Sequence, residues 1–381
     1  MSIVGKVRVG MAGGGSGFFG APHRRAIIMD NTAELTAGAL RLDPAESLLT
    51  AERLYFKRGY RDAKSMHAIE ATLPLDERIN YTTVVTPNNS HFPIAQDALN
   101  NGFGVLCEKP LTTNLADSQA LVASVERTNL PFVSAYTYTG YPMVKLAREM
   151  VLNGDIGDVR KVQTWYPQGW LADAKDVWRV DPKIAGPSGC GGDIGTHAYE
   201  FIRYVTGLSA TEVSAKLTSF VDDRKLDDDF EARAVLSNGA IATISASQVT
   251  IGSQNDNGFR IIGKTGTLEW SNTDHQTLKL YRPGKEVQVF RLGVEYNYFP
   301  ERLKPYLRLP SGHPEGFHEA LANHHRDMES MLRGQSHYHY PGVHDGAAGI
   351  AFIEACLESN LKGGASIPVA AVENPDYSTY K

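Results

Sequence analysis

The sequence predicts an α/β fold in two parts: a doubly wound parallel sheet, then an α+β domain built on a large, mostly antiparallel sheet. Three observations predict it. Strand and helix patterns alternate through the first third of the chain, as parallel βαβ units require. A glycine run, GGGSGFFG at residues 13–20, lies between the first strand pattern and the first helix pattern. After about residue 136 the strands lengthen and alternate apolar with polar residues, as in ARAVLSNGAIATISAS, a hairpin signal around Ser-Asn-Gly. The 381 residues exceed the roughly 250–300 at which one core stops growing, so two domains are expected, 1–136 and 137–381.

In order, the first part reads as a strand at 6–11, a helix at 22–31, a strand at 35–42 and a helix at 47–58. The β-branched run YTTVVT (81–86) is a strand bounded by Pro87. A helix at 92–100, a strand at 104–107, a helix at 115–128 and a strand at 131–136 complete the alternation. The second part opens with a helix at 143–153 that stops at Gly154. Strands follow at 159–166, 211–220, 228–236, 240–249, 259–263 and 267–270, and a helix at 346–362.

Composition narrows the function. Hydrophobic residues are 42% and charged residues 21%, ordinary for a globular chain, and the net charge of -5 supplies no basic field for nucleic acid or anionic lipid. The three cysteines are far apart with no CxxC pair, which favours a reducing compartment. No secretory signal and no run of about 20 apolar residues is present, so a cytoplasmic protein without a membrane partner is expected. Seven of the twelve histidines lie after residue 310, at spacings that match no metal signature; no metal is expected, and these histidines read as helix-face or loop residues.

A strand running through glycines into a helix is a phosphate cradle, because the helix N-terminus offers unpaired N–H groups and partial positive charge. The pattern GxGxxG occurs as Gly15-Ser16-Gly17-Phe18-Phe19-Gly20. An alternative takes Gly13 and Gly15 as the first two positions and Gly20 as the third, with Phe18 and Phe19 at the tip of a longer turn. There an aromatic covers the pyrophosphate or nicotinamide, or packs under the turn. About 20 residues on, an acidic residue suits the ribose of NAD and an arginine the 2′-phosphate of NADP. Here Arg41 stands near the strand end and Asp43 follows, so NAD or NADP is expected with the preference open.

Three further motifs accompany the loop: Thr86-Pro87-Asn88-Asn89-Ser90-His91, Glu108-Lys109-Pro110, and Gly191-Gly192-Asp193-Ile194-Gly195-Thr196-His197. In this order and at these positions the chain resembles the glucose-fructose oxidoreductase / inositol dehydrogenase / rhizopine catabolism (Gfo/Idh/MocA) family along nearly its whole length. The resemblance implies an N-terminal Rossmann domain, a C-terminal domain with a large open sheet, and NAD(P)-dependent chemistry on sugars, cyclitols or polyols. It implies Lys109, Asp193 and His197 as catalytic groups. It places Thr86, Pro87, Asn88, His91, Glu108 and Lys109 on the cofactor side, where His91 alternatively caps a helix. It also implies a homodimer or homotetramer paired through the open sheet.

The sequence departs from the common family pattern in its longer glycine turn, in Arg41, and in Tyr136–Pro142, where many members carry arginines. That last departure implies an aromatic pocket wall including Tyr138 and Tyr141. Further substrate candidates are Gln168, Trp170, Trp178 and Arg179, since sugars stack on aromatics and bond to amides and guanidinium groups. Both tryptophans alternatively serve packing. His313–His318 is placed to close the site.

Alcohol oxidation needs a hydride acceptor, a base and stabilisation of developing alkoxide. A histidine suits the base, and an ammonium bonds the reacting oxygen. His197 as base with Lys109 as stabiliser is the favoured assignment; a lysine base with a histidine partner stays open. Asp193 and His197, four apart at a helix start, share a face. Two other functions use the same residues or fold: a glycosidase acting by transient oxidation and elimination, and a non-catalytic NADPH-binding sensor. Intact Lys109, Asp193 and His197 weigh against the sensor.

Overall fold

The computed structural model describes residues 3, 5–173 and 177–372. Its first sheet contains β1 (Val7–Gly13), β2 (Ala33–Ala39), β3 (Arg58–Gly59), β4 (Tyr81–Val85), β5 (Gly104–Glu108) and β6 (Phe132–Ala135). They lie in the order β3-β2-β1-β4-β5-β6, all parallel, which is the doubly wound dinucleotide-binding order. The helices between them are α1 (Gly20–Ile28), α2 (Pro44–Arg53), α3 (Ala63–Glu70), α4 (His91–Asn100) and α5 (Leu115–Thr128). Strands β1, β4 and β5 are buried on both faces, so their apolar runs are nearly continuous. Asn114 begins α5 by accepting from the Asp117 N–H at 2.9 Å, and left-handed Asn129 ends it.

Helix α6 (Pro142–Leu152) leads into the second region, which holds α7 (Pro182–Ala185), α8 (Thr196–Thr206) and a nine-stranded sheet. Its strands are β7 (Val159–Pro167), β8 (Ala210–Thr218), β9 (Asp229–Leu236), β10 (Ile241–Ser247), β11 (Gly258–Gly263), β12 (Thr267–Ser271), β13 (Thr277–Tyr281), β14 (Gln288–Arg291) and β15 (Ile367–Pro368). The order is β14-β13-β12-β11-β7-β10-β9-β8-β15, and only β7–β10 is parallel. Alternation sets its two faces: Phe230, Ala232 and Ala234 point into the core, while Glu231 and Arg233 stay exposed.

Two late helices, α9 (Phe317–Leu332) and α10 (Val343–Leu361), tie the regions together. Helix α9 packs on α1, β5 and β6, and α10 packs on α5, β6 and β8. The sequence reading contains α10 but lacks α3, α7, α9, β3, β13, β14 and β15. Helix α9 was hidden because it buries Asn323, His324, His325 and Asp327, so its inward face is polar in sequence. The late histidines are accordingly not uniform: His324, His325 and His339 are buried, while His313 is exposed. Among the described residues no helix is long and apolar enough to cross a membrane.

Burial, reinforced by the Lys145 charge, pushes the His324 imidazole down to about 3. The unfolded chain takes up that proton near the usual value of about 6.5, so the contribution of neutral His324 is present above that pH and lost as pH falls below it. A His324→Gln variant is therefore expected to lose about 1.4 kcal/mol less per pH unit than the parent between about pH 6 and 5. Denaturant unfolding at several pH values reads this directly. Parallel curves for the two proteins would refute it.

Candidate active site

Strand β1 ends at Gly13, beside the end of β4, where the strand order reverses. Gly13 has φ +79°, and a Cβ there would stand 2.4 Å from the Val85 carbonyl oxygen. At Gly20, the first residue of α1, a Cβ would stand 1.8 Å from the Gly14 oxygen. Helix and loop can therefore meet only through hydrogen. The Gly15 N–H donates to Leu40 O at 3.1 Å, and Arg24 Nη1 donates to Gly14 O at 2.6 Å. The backbone N–H groups of Ser16, Gly17, Phe18 and Phe19 find no acceptor among the described residues. Thr86 Oγ1, beside Gly13, is buried without a partner. Unpaired donors at a helix N-terminus fit the diphosphate of a dinucleotide. Phe18 is 70% exposed at the tip; it meets Phe19 edge-on, and both contact Phe317 at the start of α9.

The other cofactor-side candidates divide. Arg41 is exposed beyond β2, whereas the Asp43 carboxylate caps α2 by accepting from the Glu46 N–H at 2.8 Å. Pro87 precedes the short turn Asn88–Ser90, and the Asn88 amide donates to Ala185 O at 2.9 Å, stitching that turn to α7. His91 is a brace: its nitrogens face Pro110 O at 2.8 Å and Thr86 O at 3.0 Å. Glu108 is buried against His23 at 2.8 Å.

Lys109 follows β5 through a cis peptide to Pro110. Its Nζ donates to Asp193 Oδ1 and to the Asp193 carbonyl oxygen, both at 2.7 Å. Asp193 Oδ2 accepts from Gln248 Nε2 at 2.9 Å and lies 3.5 Å from Arg179 Nε. Burial works against the Asp193 charge, but Lys109 and then Arg179 outweigh it and hold the carboxyl well below the usual range. The segment Gly191–Gly195 is a single widened turn, in which the Thr196 N–H reaches back five residues to Gly191 O. So Asp193 and His197 come to one site through this turn instead of a regular helical start. Asp227 fixes the turn from below: its carboxylate accepts from Gly189 N, Gly191 N and Ser188 Oγ at 2.8, 2.8 and 3.1 Å.

His197 is 6% exposed and sits among Tyr136, Tyr138 and Tyr166, with ring centroids 5.6, 5.0 and 5.8 Å away. Neither nitrogen makes a hydrogen bond among the described residues. Burial, then the Lys109 charge, lowers its pKa well below the ordinary value against the opposing pull of Asp193, so the imidazole is neutral. The Tyr138 and Tyr166 hydroxyls share a hydrogen bond of 2.5 Å. Tyr141 lies one layer behind Tyr138, parallel to it, against Trp270 and His275 in the core. Arg179 stacks 4.3 Å from the Trp178 ring and 6.0 Å from that of Trp170, which is 50% exposed; Gln168 is buried. His318 stands near Arg25, whereas His313 bonds only its own turn.

The structure thus gathers Lys109, Asp193, His197, Tyr138 and Arg179, and adds residues that sequence reasoning missed. Gln248 follows a strand end with no motif around it, whereas Tyr166 opens the stretch Tyr166–Trp170 already singled out for the substrate side. Asp227 sits in an acidic run, Asp227-Asp228-Asp229, at the start of the strand pattern 228–236, and no motif marks it.

Comparison with known proteins agrees with the two-region fold. Residues 7–136 match the family model of the oxidoreductase family, NAD-binding Rossmann fold, and residues 144–269 match that of the GFO/IDH/MocA C-terminal domain. The chain is 31% identical to oxidoreductase YfiI of Bacillus subtilis (strain 168), covering 94% of this chain and 95% of that one. A crystal structure of an oxidoreductase from Sinorhizobium meliloti superimposes with a TM-score of 0.87 at 36% identity, over 96% of this chain and all of that one. An inositol dehydrogenase homolog from Azotobacter vinelandii, complexed with NAD+, gives a TM-score of 0.89 at 30% identity, over 96% of this chain and 98% of that one.

The glycine geometry predicts an asymmetry. Gly20→Ala drives a methyl group into backbone and should cost more than about 3 kcal/mol, the upper range of ordinary substitutions. Gly17 has φ +78° and open space where a Cβ would stand. Gly17→Ala should therefore cost about 1–2 kcal/mol, the left-handed backbone term alone. Equal losses of Tm would contradict the close approach at Gly20.

Proposed function

We propose that this chain, which belongs to the Gfo/Idh/MocA family of oxidoreductases, moves a hydride between a nicotinamide dinucleotide and a secondary hydroxyl of a sugar, cyclitol or related polyol. One observation carries the reading: Lys109 Nζ is clamped by the carboxylate and carbonyl of Asp193 beside a buried imidazole that the same ammonium helps keep neutral. Relatives support the substrate class. They include a levoglucosan dehydrogenase of Pseudarthrobacter phenanthrenivorans (29% identical over 69% of this chain) and an Azotobacter vinelandii inositol dehydrogenase homolog complexed with NADH and myo-inositol.

On this reading residues 1–136 hold the dinucleotide, with the N–H groups of 16–19 toward its phosphates and Arg41 toward its adenosine end. Residues 137–381 bind substrate and pair copies of the chain. The bound cofactor supplies or accepts the hydride. His197 takes the hydroxyl proton on its free nitrogen, and Lys109 stabilises the developing alkoxide. Asp193 fixes the ammonium, and Gln248 and Arg179 fix Asp193. Tyr138, Gln168, Trp170 and Trp178 form the wall against which a sugar ring packs.

The test is reduced-nicotinamide absorbance with a panel of cyclitols, aldoses and anhydrosugars, each offered with NAD+ and NADP+. Lys109→Ala and His197→Ala are expected to lower kcat by about 10²–10⁴-fold, the usual worth of a positioned acid–base group. Near-parental kcat in both would remove the assignment. Because burial and Lys109 lower the His197 pKa, the base stays unprotonated on acidification, and kcat/KM should show no acid limb near the ordinary histidine value of about 6.5. A limb at that value would remove His197 as base.

A further inference from the structure

Behind Lys109 runs a buried line of side chains that the chemistry above does not use. Glu108 Oε1 lies 2.8 Å from His23 Nε2, His23 Nδ1 lies 3.2 Å from His325 Nε2, and His325 Nδ1 lies 2.7 Å from the Tyr81 hydroxyl. The four residues come from β5, α1, α9 and β4, and all are buried. The second carboxylate oxygen, Oε2, accepts from the Lys109 backbone N–H at 3.2 Å.

The chemistry of the groups sets the direction of the line. A carboxylate only accepts, so the hydrogen lies on His23 Nε2. From the far end, buried His325 is neutral and its Nδ1 accepts from Tyr81 O–H, which leaves the hydrogen on His325 Nε2, facing His23 Nδ1 as acceptor. Every nitrogen in the line is used, and burial keeps the His325 ring neutral. Tyr81 is fully buried, so the far end does not open to solvent, and the line orients groups instead of conducting protons.

We propose that His23 and His325 are positioning residues for the reaction, acting on Lys109 through the Glu108 carboxylate that they hold in one orientation. The proposal rests on the dehydrogenase reading above. Its effect reaches the cleft because Glu108 and Lys109 are consecutive at the end of β5, and α1, which carries His23, begins at the glycine loop. The charged and titratable groups facing Glu108 are His23 from α1, His91 from α4, Lys109 and the Cys107 thiol from its own strand. Those facing His325 are His23, Tyr81 and its neighbour His324. Burial alone would raise the Glu108 pKa. The His23 hydrogen bond, with Lys109 and His91, reverses that and sets it below the ordinary value. Removing the His23 donor lets burial prevail, so Glu108 takes up a proton at a higher pH and releases its hold on the Lys109 backbone there.

Two measurements test this. In nitrogen-15 spectra of the full chain without substrate, both imidazoles should show Nε2–H and unprotonated Nδ1, and His325 should not titrate between about pH 5.5 and 8. An Nδ1–H form of either ring, or ordinary titration of His325 near about 6.5, overturns the proposal. Tyr81→Phe removes one hydroxyl with little change of shape, and His325 should then show a mixture of both tautomers; an unchanged spectrum also overturns it. In turnover, His23→Leu should lower kcat about tenfold or more, leave the nucleotide KM within about twofold, and make the acid limb of kcat, set by protonation of Glu108, begin at higher pH than in the parent protein. His23→Gln, which keeps a donor where Nε2 stands, should restore the limb. An unmoved limb in folded His23→Leu overturns the proposal with the reaction intact. Failure of every alcohol to react in the parent protein would instead overturn the dehydrogenase reading, and this proposal with it.

Discussion

The contact on which the site depends is the pair formed by Lys109 and Asp193. It joins the end of the first sheet to a turn of the second region, 84 residues away in sequence. Such a pair gives little net stability, since desolvation cancels much of the attraction, but removing one partner leaves an uncompensated buried charge costing about 3–5 kcal/mol. Its value is geometric. The ammonium has two acceptors on one residue, a carboxylate and a main-chain carbonyl, so it is fixed in direction as well as distance. The widened turn at Gly191–Gly195 presents that carbonyl, and Asp227 accepts two of the preceding N–H groups. Glycine is needed close by: a Cβ at Gly191 would stand 2.6 Å from Ser188 Oγ and 2.9 Å from the Phe230 ring.

Much of this was legible in the sequence because local chemistry and tertiary structure agree there. The glycine loop, the β-branched strands and α5 with its Asn caps follow from rules acting over a few residues. The two-region order follows from the change in strand pattern at 136. What was hidden depends on distant partners. Helix α9 reads as polar because the groups it buries, Asn323 against Gly140 O and His325 against Tyr81, find acceptors and donors far along the chain. Asp43 has the spacing of a ribose ligand, yet the local demand of α2 for an N-cap claims its carboxylate. His91 has the position of a cofactor residue, yet backbone carbonyls claim both nitrogens. Tyr141 belongs to the same aromatic run as Tyr138 but faces the core, since the turn at Thr137–Gly140 sends the two rings into successive layers.

The order of the chain and the order of the layers differ for a related reason. The split at 136 separates the two sheets, but α9 and α10 come from the end of the chain and cover the first sheet. Phe317, the first residue of α9, meets both the tip of the glycine loop at Phe18 and the site wall at Tyr138. Residues of three separate stretches therefore meet beside the site, and the late one carries no motif.

One charge governs the electrostatics of the site twice. The Lys109 ammonium lowers the proton affinity of His197 and, on the proposed chemistry, stands where an alkoxide would form. A cation that favours the alkoxide also weakens the neighbouring base, so the two effects oppose one another unless the base is set by something else. Here Asp193 supplies the counterweight, raising the His197 proton affinity while it holds the ammonium. Asp193 can do both only while ionised, and Arg179, Gln248 and Lys109 itself keep it so. The residues that meet at this turn are thus a single electrostatic unit. Moving Asp193 by even one hydrogen-bond length would change the His197 proton affinity, the hold on the Lys109 ammonium and the angle between them together.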